Sequence, residues 1–259
     1  MMEVRAIGLI GHGEAFAAIA ARLSAQGMRV LALGMPGHSQ SSPKSPRIEI
    51  AASPSDIALG CEIVISTIED SKVLREAVLG TAERPGFAIG LAPGSILTDC
   101  ALRTPGDILK LAGLLGRGAI AVIDAPILGN AAEIASGTAT IFAGGYPDSL
   151  DRMLPILSRL GAVTRAGRLG NGHALATIAR YVRAARHIAA AEALEIGARA
   201  GLSPEAMAAA LEAGSGSSTG VICGPDNSRE TLDSDIARIQ ALALELGLIP
   251  AETQALLTA

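Results

Sequence analysis

The feature that most constrains this chain is a set of near-continuous apolar runs, each of strand length, separated by stretches with helical spacing. Residues 4–10, 30–33, 62–66, 87–91 and 119–123 are such runs. A strand that is apolar at successive positions is buried on both faces, as in a parallel sheet. Between the runs, residues 14–26, 71–79 and 107–115 carry apolar side chains at helical spacing, so each strand returns to the next through a right-handed crossover. Residues 1–165 are therefore expected to form a doubly wound α/β domain.

Beyond residue 165 the pattern changes. Residues 172–199 read as one long Ala-rich helix with charges at Arg180, Arg183, Arg186, Glu192, Glu195 and Arg199. Gly201 suits its C-terminal stop, and Leu202-Ser203-Pro204-Glu205 suits a new start with Ser203 as N-cap, Pro204 at the first position and an acid in the first turn. Residues 214–224 hold four Gly and three Ser and read as a link, and residues 234–246 as a further amphipathic helix. Residues 166–259 are thus expected to be an all-helical domain entered through one long interdomain helix.

Composition narrows the function classes. The chain has 259 residues, and 21 basic side chains against 25 acidic ones give a formal charge of -4, which argues against a nucleic-acid surface. Mean hydropathy is +0.41, but the excess is largely Ala and no apolar stretch reaches the ~18 residues of a membrane span. The N-terminal apolar run, residues 6–10, is shorter than a secretory core, so a cytoplasmic location is expected. Cys61, Cys100 and Cys223 are odd in number and far apart, which suits buried free thiols. His12 and His187 have no Cys or carboxylate at ligand spacing, and no metal is expected.

Ile7-Gly8-Leu9-Ile10-Gly11-His12-Gly13-Glu14 places a Gly-x-Gly turn between the first strand and the first helix. In a Rossmann-type sheet such a turn lets backbone amides at a positive helix end approach a pyrophosphate. The third glycine of the fingerprint is Phe16 here, and a purely structural turn is the competing reading. Glu14 is expected to point away from phosphate, where an acid suits the start of a helix. After the second strand, where an acid usually meets the ribose, stand Gly34 and Met35. The segment 36–47, with three prolines, Lys44 and Arg47, is a loop suited to an adenosine 2'-phosphate or a plain surface loop, and its lack of acids tilts the expected cofactor to NADP, with NAD second.

Asp124-Ala125-Pro126-Ile127-Leu128-Gly129-Asn130, then Gly137-Thr138-Ala139-Thr140-Ile141 with Gly144-Gly145, then Gly170-Asn171-Gly172 before the long helix, resemble in order the motifs of the β-hydroxyacid dehydrogenase family, relatives of 3-hydroxyisobutyrate dehydrogenase and of the 6-phosphogluconate dehydrogenase cofactor domain. The resemblance runs nearly end to end. It implies an NAD(P)-dependent oxidoreductase with a small-molecule substrate and a homodimer built on the helical part. The cofactor set it implies is Gly11, His12, Gly13, Glu14, Thr67, Ile68 and Ser95, with Lys44 and Arg47 from the loop. The family's catalytic Lys falls on Ala176, its two Asn on Ala179 and Arg180, its substrate-loop Ser on Leu128, and its Ser-Thr pair on Ala92-Pro93, with Ser95 two residues on. The only lysines are Lys44, Lys72 and Lys110, so none in the helical domain takes over.

A methyl group cannot deliver a proton to a carbonyl oxygen as hydride arrives. His173 and Arg180 lie three before and four after Ala176, on one helix face. His173 would supply the proton, or is a bland helix-start His; Arg180 would bind an anionic group, or makes an interhelical ion pair. Tyr181 ranks third. Asp124, ending the last sheet strand, is an acid or a cap for the loop after it. The expected function is an NAD(P)-dependent oxidoreductase acting on a small carbonyl or imine without a Lys general acid, imine reductases of the same wider group also lacking that Lys. The alternative is a catalytically inactive member serving as a nucleotide-binding or scaffold dimer.

Overall fold

The computed structural model describes residues 6–35, 45–215 and 229–247, and the chain divides into two compact units, 1–176 and 177–259. The first unit carries the sheet. Strands β1 (Ile7–Gly11), β2 (Val30–Gly34), β3 (Ile48–Ile50), β4 (Ile63–Ser66), β5 (Ile96–Asp99) and β6 (Ala121–Asp124) run parallel in the order 3-2-1-4-5-6. This is the doubly wound order, whose direction reverses between β1 and β4. Beyond β6 the sheet continues through β8 (Ala139–Gly144), antiparallel to β6 and to the short β7 (Ile127–Leu128), and β9 (Gly161–Gly167) lies parallel to β8.

Successive strand residues enter opposite cores, which is why the strands read as continuous apolar runs. Ile63 and Ile65 pack with Phe16, Ile19 and Leu23 of α1 (Gly13–Ala25) and with Leu150, Met153 and Leu157 of α6 (Pro147–Leu157). Between them in sequence, Val64 joins the other core, with Ile57 of α2 (Pro54–Gly60), Leu74 and Val78 of α3 (Ser71–Leu79), and Ile108 and Leu111 of α4 (Pro105–Leu115). A short helix, α5 (Ala131–Ser136), contributes Ile134 to the first core.

Helix starts follow local chemistry. Ser53 and Asp56 form a capping box on α2, Asp70 accepts the amides of Lys72 and Val73 on α3, Thr104 caps α4, and Asn130 with Glu133 caps α5. At α1 the N-cap is His12, which makes no side-chain capping bond.

One expected strand is corrected. Residues 87–91 do not form a strand; Phe87–Gly90 is a single 3-10 turn packed under α2 and α3, and the strand of that crossover is β5, starting at Ile96. Gly86 and Gly90 bound the run, and four residues of continuous apolar character fit a buried turn as well as a strand.

The second unit contains most of α7 (Asn171–Arg199), together with α8 (Pro204–Ser215) and α9 (Arg229–Glu245). Ser203 Oγ accepts the Ala206 amide (3.2 Å), as its N-cap position requires. Gly197 of α7 faces Met207 of α8 so closely that a Cβ there would overlap the Met207 sulfur. Among the described residues no helix is long and apolar enough to cross a membrane, no group of side chains is arranged to hold a metal ion, and Cys61 and Cys100 are buried free thiols. Burial pushes the Cys61 thiol up to about 11 and raises that of Cys100. Lys44, Cys223 and the greater part of the 214–224 link lie outside the described residues.

Candidate functional site

Strand register sets the site. Gly11 pairs with Gly34, Ile10 with Ser66, Ser66 with Asp99, and Asp99 with Asp124. These residues form one row along the carboxyl ends of the strands, where open α/β sheets take their ligands. At the head of the row, Gly11 (φ +146°) and Gly13 (φ +80°) turn the chain from β1 into α1. Gly11 lies against Thr67, whose hydroxyl a Cβ at Gly11 would overlap. Gly13 is different: among the described residues nothing lies within 4 Å of a Cβ built there. An uncapped helix start beneath open space is a fit for a pyrophosphate, since amides and helix dipole face it.

The other expected cofactor residues divide between the two edges. Thr67 donates its amide to the Ile10 carbonyl (2.9 Å), and Ile68 follows, wholly buried, with its amide on Ser66 Oγ (3.2 Å). Glu14 is exposed in the first turn of α1, and Met35 donates its amide to the Gly11 carbonyl (3.1 Å), so the end of β2 adjoins the turn. Arg47 is corrected. It precedes β3, which runs parallel to β2 with Ile48 opposite Val30, and Arg47 Nη1 donates to the Gly27 carbonyl (3.2 Å). That is the opposite edge from the glycine turn, about 15 Å away along β2.

Ser95 is corrected for the same reason. It immediately precedes β5, in line with Glu62, so it and Ala92-Pro93 also lie at the amino ends of the strands. The residues that follow β5 at the ligand edge are Cys100, Ala101 and Leu102.

Asp124 and His173 are brought together. Both Asp124 oxygens serve the start of α7: Oδ1 accepts from the Gly170 amide (2.9 Å) and Oδ2 from the His173 amide (2.8 Å). Asp124 is therefore a remote cap for a helix, and its reading as an acid gives way. Burial pushes its carboxyl above the usual range, opposed by His173 and these amide bonds. A side chain at Gly172 would lie 2.7 Å from Asp124 Oδ2, so the second glycine of Gly-Asn-Gly provides clearance for the cap.

The cap sets His173 against Asp99, with Nε2 3.2 Å from Oδ2 and both side chains wholly buried. Neither ring nitrogen has an aligned hydrogen-bond partner. A buried polar group in that state is uncommon in native proteins and calls for an explanation.

Asp99 and Arg103 carry no signal in the sequence pattern, because the apolar run 87–91 has the character of the strand that Ile96–Asp99 forms. Arg103 donates through Nε and Nη2 (3.0 Å) to Asp99, through Nη2 to the Ile68 carbonyl (2.5 Å) and through Nη1 to Ser71 Oγ (3.0 Å). It thereby ties the loops after β4 and β5. Burial pushes the Asp99 carboxyl up, but His173 and the Arg103 guanidinium outweigh it and hold the group below the usual carboxylate range.

Arg180 does not join this cluster. Its Nε donates to Asp235 Oδ1 of α9 (2.5 Å), and Arg183 lies 3.5 Å from Oδ2 of the same buried carboxylate. It is the interhelical ion pair, and the carboxylate-binding reading is corrected. Tyr181 follows on the same helix, half-buried. Ala176, where the resemblance would place Lys, is wholly buried.

Because Asp99 has a folded-state value below its unfolded one, its ionisation stabilises the protein above the usual carboxylate range and that contribution is lost as pH falls through the lower value. Asp99→Asn, which leaves Arg103 buried without its counter-charge, is expected to cost ~3–5 kcal/mol at pH 7. Urea denaturation should show the gap from wild type narrowing below about pH 4.

Residues 6–170 match the NAD binding domain of 6-phosphogluconate dehydrogenase. The NAD-dependent L-serine dehydrogenase of Pseudomonas aeruginosa is 27% identical over 79% of this chain and 70% of its own length. A probable 3-hydroxyisobutyrate dehydrogenase-like protein of Arabidopsis thaliana is 26% identical over 76% of this chain, and the match spans only 61% of that relative. Among solved structures, the Mycobacterium tuberculosis 3-hydroxyisobutyrate dehydrogenase with L-serine superposes with a TM-score of 0.84 at 18% identity, over 95% of this chain and 89% of that one. An imine reductase from Myxococcus stipitatus, a variant in complex with NAD+, gives 0.73 at 16% identity, over 98% and 91%. These structures share the fold, and with a turn built for a dinucleotide and a matching profile over the sheet domain, the chain belongs to the 6-phosphogluconate dehydrogenase-like family of NAD-binding β-hydroxyacid dehydrogenases.

Proposed function

We propose that the chain is an NAD(P)-dependent oxidoreductase that acts on a small carbonyl or imine without a Lys general acid, and that His173 holds the proton. The buried His173 ring carries this reading: it lies at the ligand edge beside Asp99, and neither nitrogen has an aligned partner. A substrate atom or an ordered water would complete its hydrogen bonding. Asp99, itself fixed by Arg103, lies 3.2 Å from Nε2 and orients the ring. Gly11, His12, Gly13 and the uncapped first turn of α1 would hold the pyrophosphate, with Thr67 and Ile68 beside them. The dinucleotide, when bound, supplies the hydride donor or acceptor. An iminium substrate is already charged and asks less of an acid, which suits a site with no Lys. Likeness to an L-serine dehydrogenase in sequence and to imine reductases in fold supports the two substrate classes.

We favour NADP because Gly34 and Met35 end β2 without an acid that would repel a 2'-phosphate. Lys44 stays in that proposal, and Arg47 leaves it. A second reading, a nucleotide-binding dimer without catalysis, draws on the complete burial of Ala176. Dimerisation is supported by Leu175, Ile178, Val182 and Ile196, exposed apolar side chains along α7.

Nicotinamide fluorescence, unobscured in a chain without Trp, should show saturable NADPH binding that Gly13→Val abolishes while the fold persists. No saturation by either dinucleotide at millimolar concentration would end the oxidoreductase reading. His173→Gln should lower kcat on a reducible carbonyl or imine about 10²-fold to 10⁴-fold while the dinucleotide Kd holds; dinucleotide binding without turnover in wild type would favour the second reading. Ala176→Lys should bring no gain in oxidation of 3-hydroxyisobutyrate, 3-hydroxypropionate or glycerate, since a Lys at a closed position is desolvated and the other family side chains are also absent. Sedimentation should give about 52 kDa, twice the 26.1 kDa chain.

A further inference from the structure

Away from the glycine turn, a groove of about 580 Å³ opens between α3 and α4, a size typical of small-molecule sites. Its walls are apolar: Leu74 and Leu111 are buried, while Leu114 remains substantially exposed. Its rim is cationic. Lys72, Arg75 and Lys110 line it, so two of the three lysines in a chain of net charge -4 stand at this one opening. Asp107 is the one acid in the lining, and its Oδ2 already accepts from Ser71 Oγ (2.9 Å).

The fold does not account for these lysines. Lys72 to Glu76 and Lys110 to Asp107 are both 3.9 Å, with the ammonium groups largely exposed. Contacts of that length and exposure contribute little to stability and leave the ammonium donors available. At the back of the groove, Arg103 is held by Asp99, Ile68 and Ser71, which gives the opening a fixed polar floor. Cations around a leucine-lined pocket complement one kind of occupant.

We propose that the α3–α4 groove binds a small molecule with an apolar body and an anionic head, the chemistry shared by a medium-chain carboxylate and an alkyl phosphate. The leucines take the body, and Lys72, Arg75 and Lys110 take the head through charge-assisted hydrogen bonds. Its lining includes no residue of the Gly11–Gly13 turn, and the proposal does not depend on the oxidoreductase reading.

Isothermal titration of the full-length protein with octanoate, octyl phosphate and inorganic phosphate tests it. One saturable site for octanoate or octyl phosphate is expected, whichever is tighter identifying the head. Affinity should fall about tenfold or more in Lys72→Ala/Lys110→Ala and, independently, in Leu114→Asp. All three positions are exposed, and a melting curve for each variant checks its fold. NADPH titration of the same variants should be unchanged, which separates failure here from failure of the oxidoreductase reading. The proposal is overturned if neither amphiphile saturates below millimolar concentration, if folded variants bind them as wild type does, or if inorganic phosphate binds as tightly as octyl phosphate.

Discussion

The Asp124 carboxylate is the interaction on which the candidate site depends. It ends β6, and its two oxygens accept the Gly170 and His173 amides at the start of α7. A helix start leaves several amides without partners, and a buried carboxylate is a strong acceptor for them. That anchor fixes the first turn of the 29-residue helix against β6 and with it the direction of His173. The glycines at 144 and 172 belong to the same device, because a side chain at either would drive into the Asp124 carboxylate.

A second buried carboxylate, Asp99, sits one strand away and is compensated differently. Arg103 meets it from four residues on, and the same guanidinium binds the Ile68 carbonyl and Ser71. Taking such charges out of water is costly, and only a full set of partners offsets the cost. His173 is the member of the cluster whose hydrogen bonding the chain itself leaves incomplete. This contrast, fully partnered carboxylates beside an imidazole with no aligned partner among the described residues, is the observation behind the proposal for His173.

The helical unit has its own buried acid. Asp235 of α9 draws Arg180 and Arg183 from α7. Taking that carboxylate out of water is costly, and pairing with two arginines offsets the cost. The family position for Lys one helical turn earlier is Ala176, as fully buried as His173.

The sequence by itself determined the parallel sheet, the glycine turn, the long helix and the family. Each of these rests on local pattern: continuous apolar runs, Gly-x-Gly between strand and helix, ordered short motifs. It also put His173 and Ala176 on one helix, because helical spacing is a one-dimensional fact. Which residues share an edge of the sheet was not legible there. Residues 87–91 are as apolar as a strand but form a 3-10 turn, and that shift by one segment puts Ser95 at the wrong edge of the sheet and conceals Asp99 and Arg103, while Arg47 is placed by the short strand β3 that follows it. Parallel strands place their two ends about 15 Å apart, so an error of a few residues in a boundary exchanges the ligand edge for the far one. Partner choice was equally out of reach. Whether Asp124 caps a helix and whether Arg180 meets Asp235 depend on contacts across 46 and 55 residues of chain, and only packing brings such distant groups together.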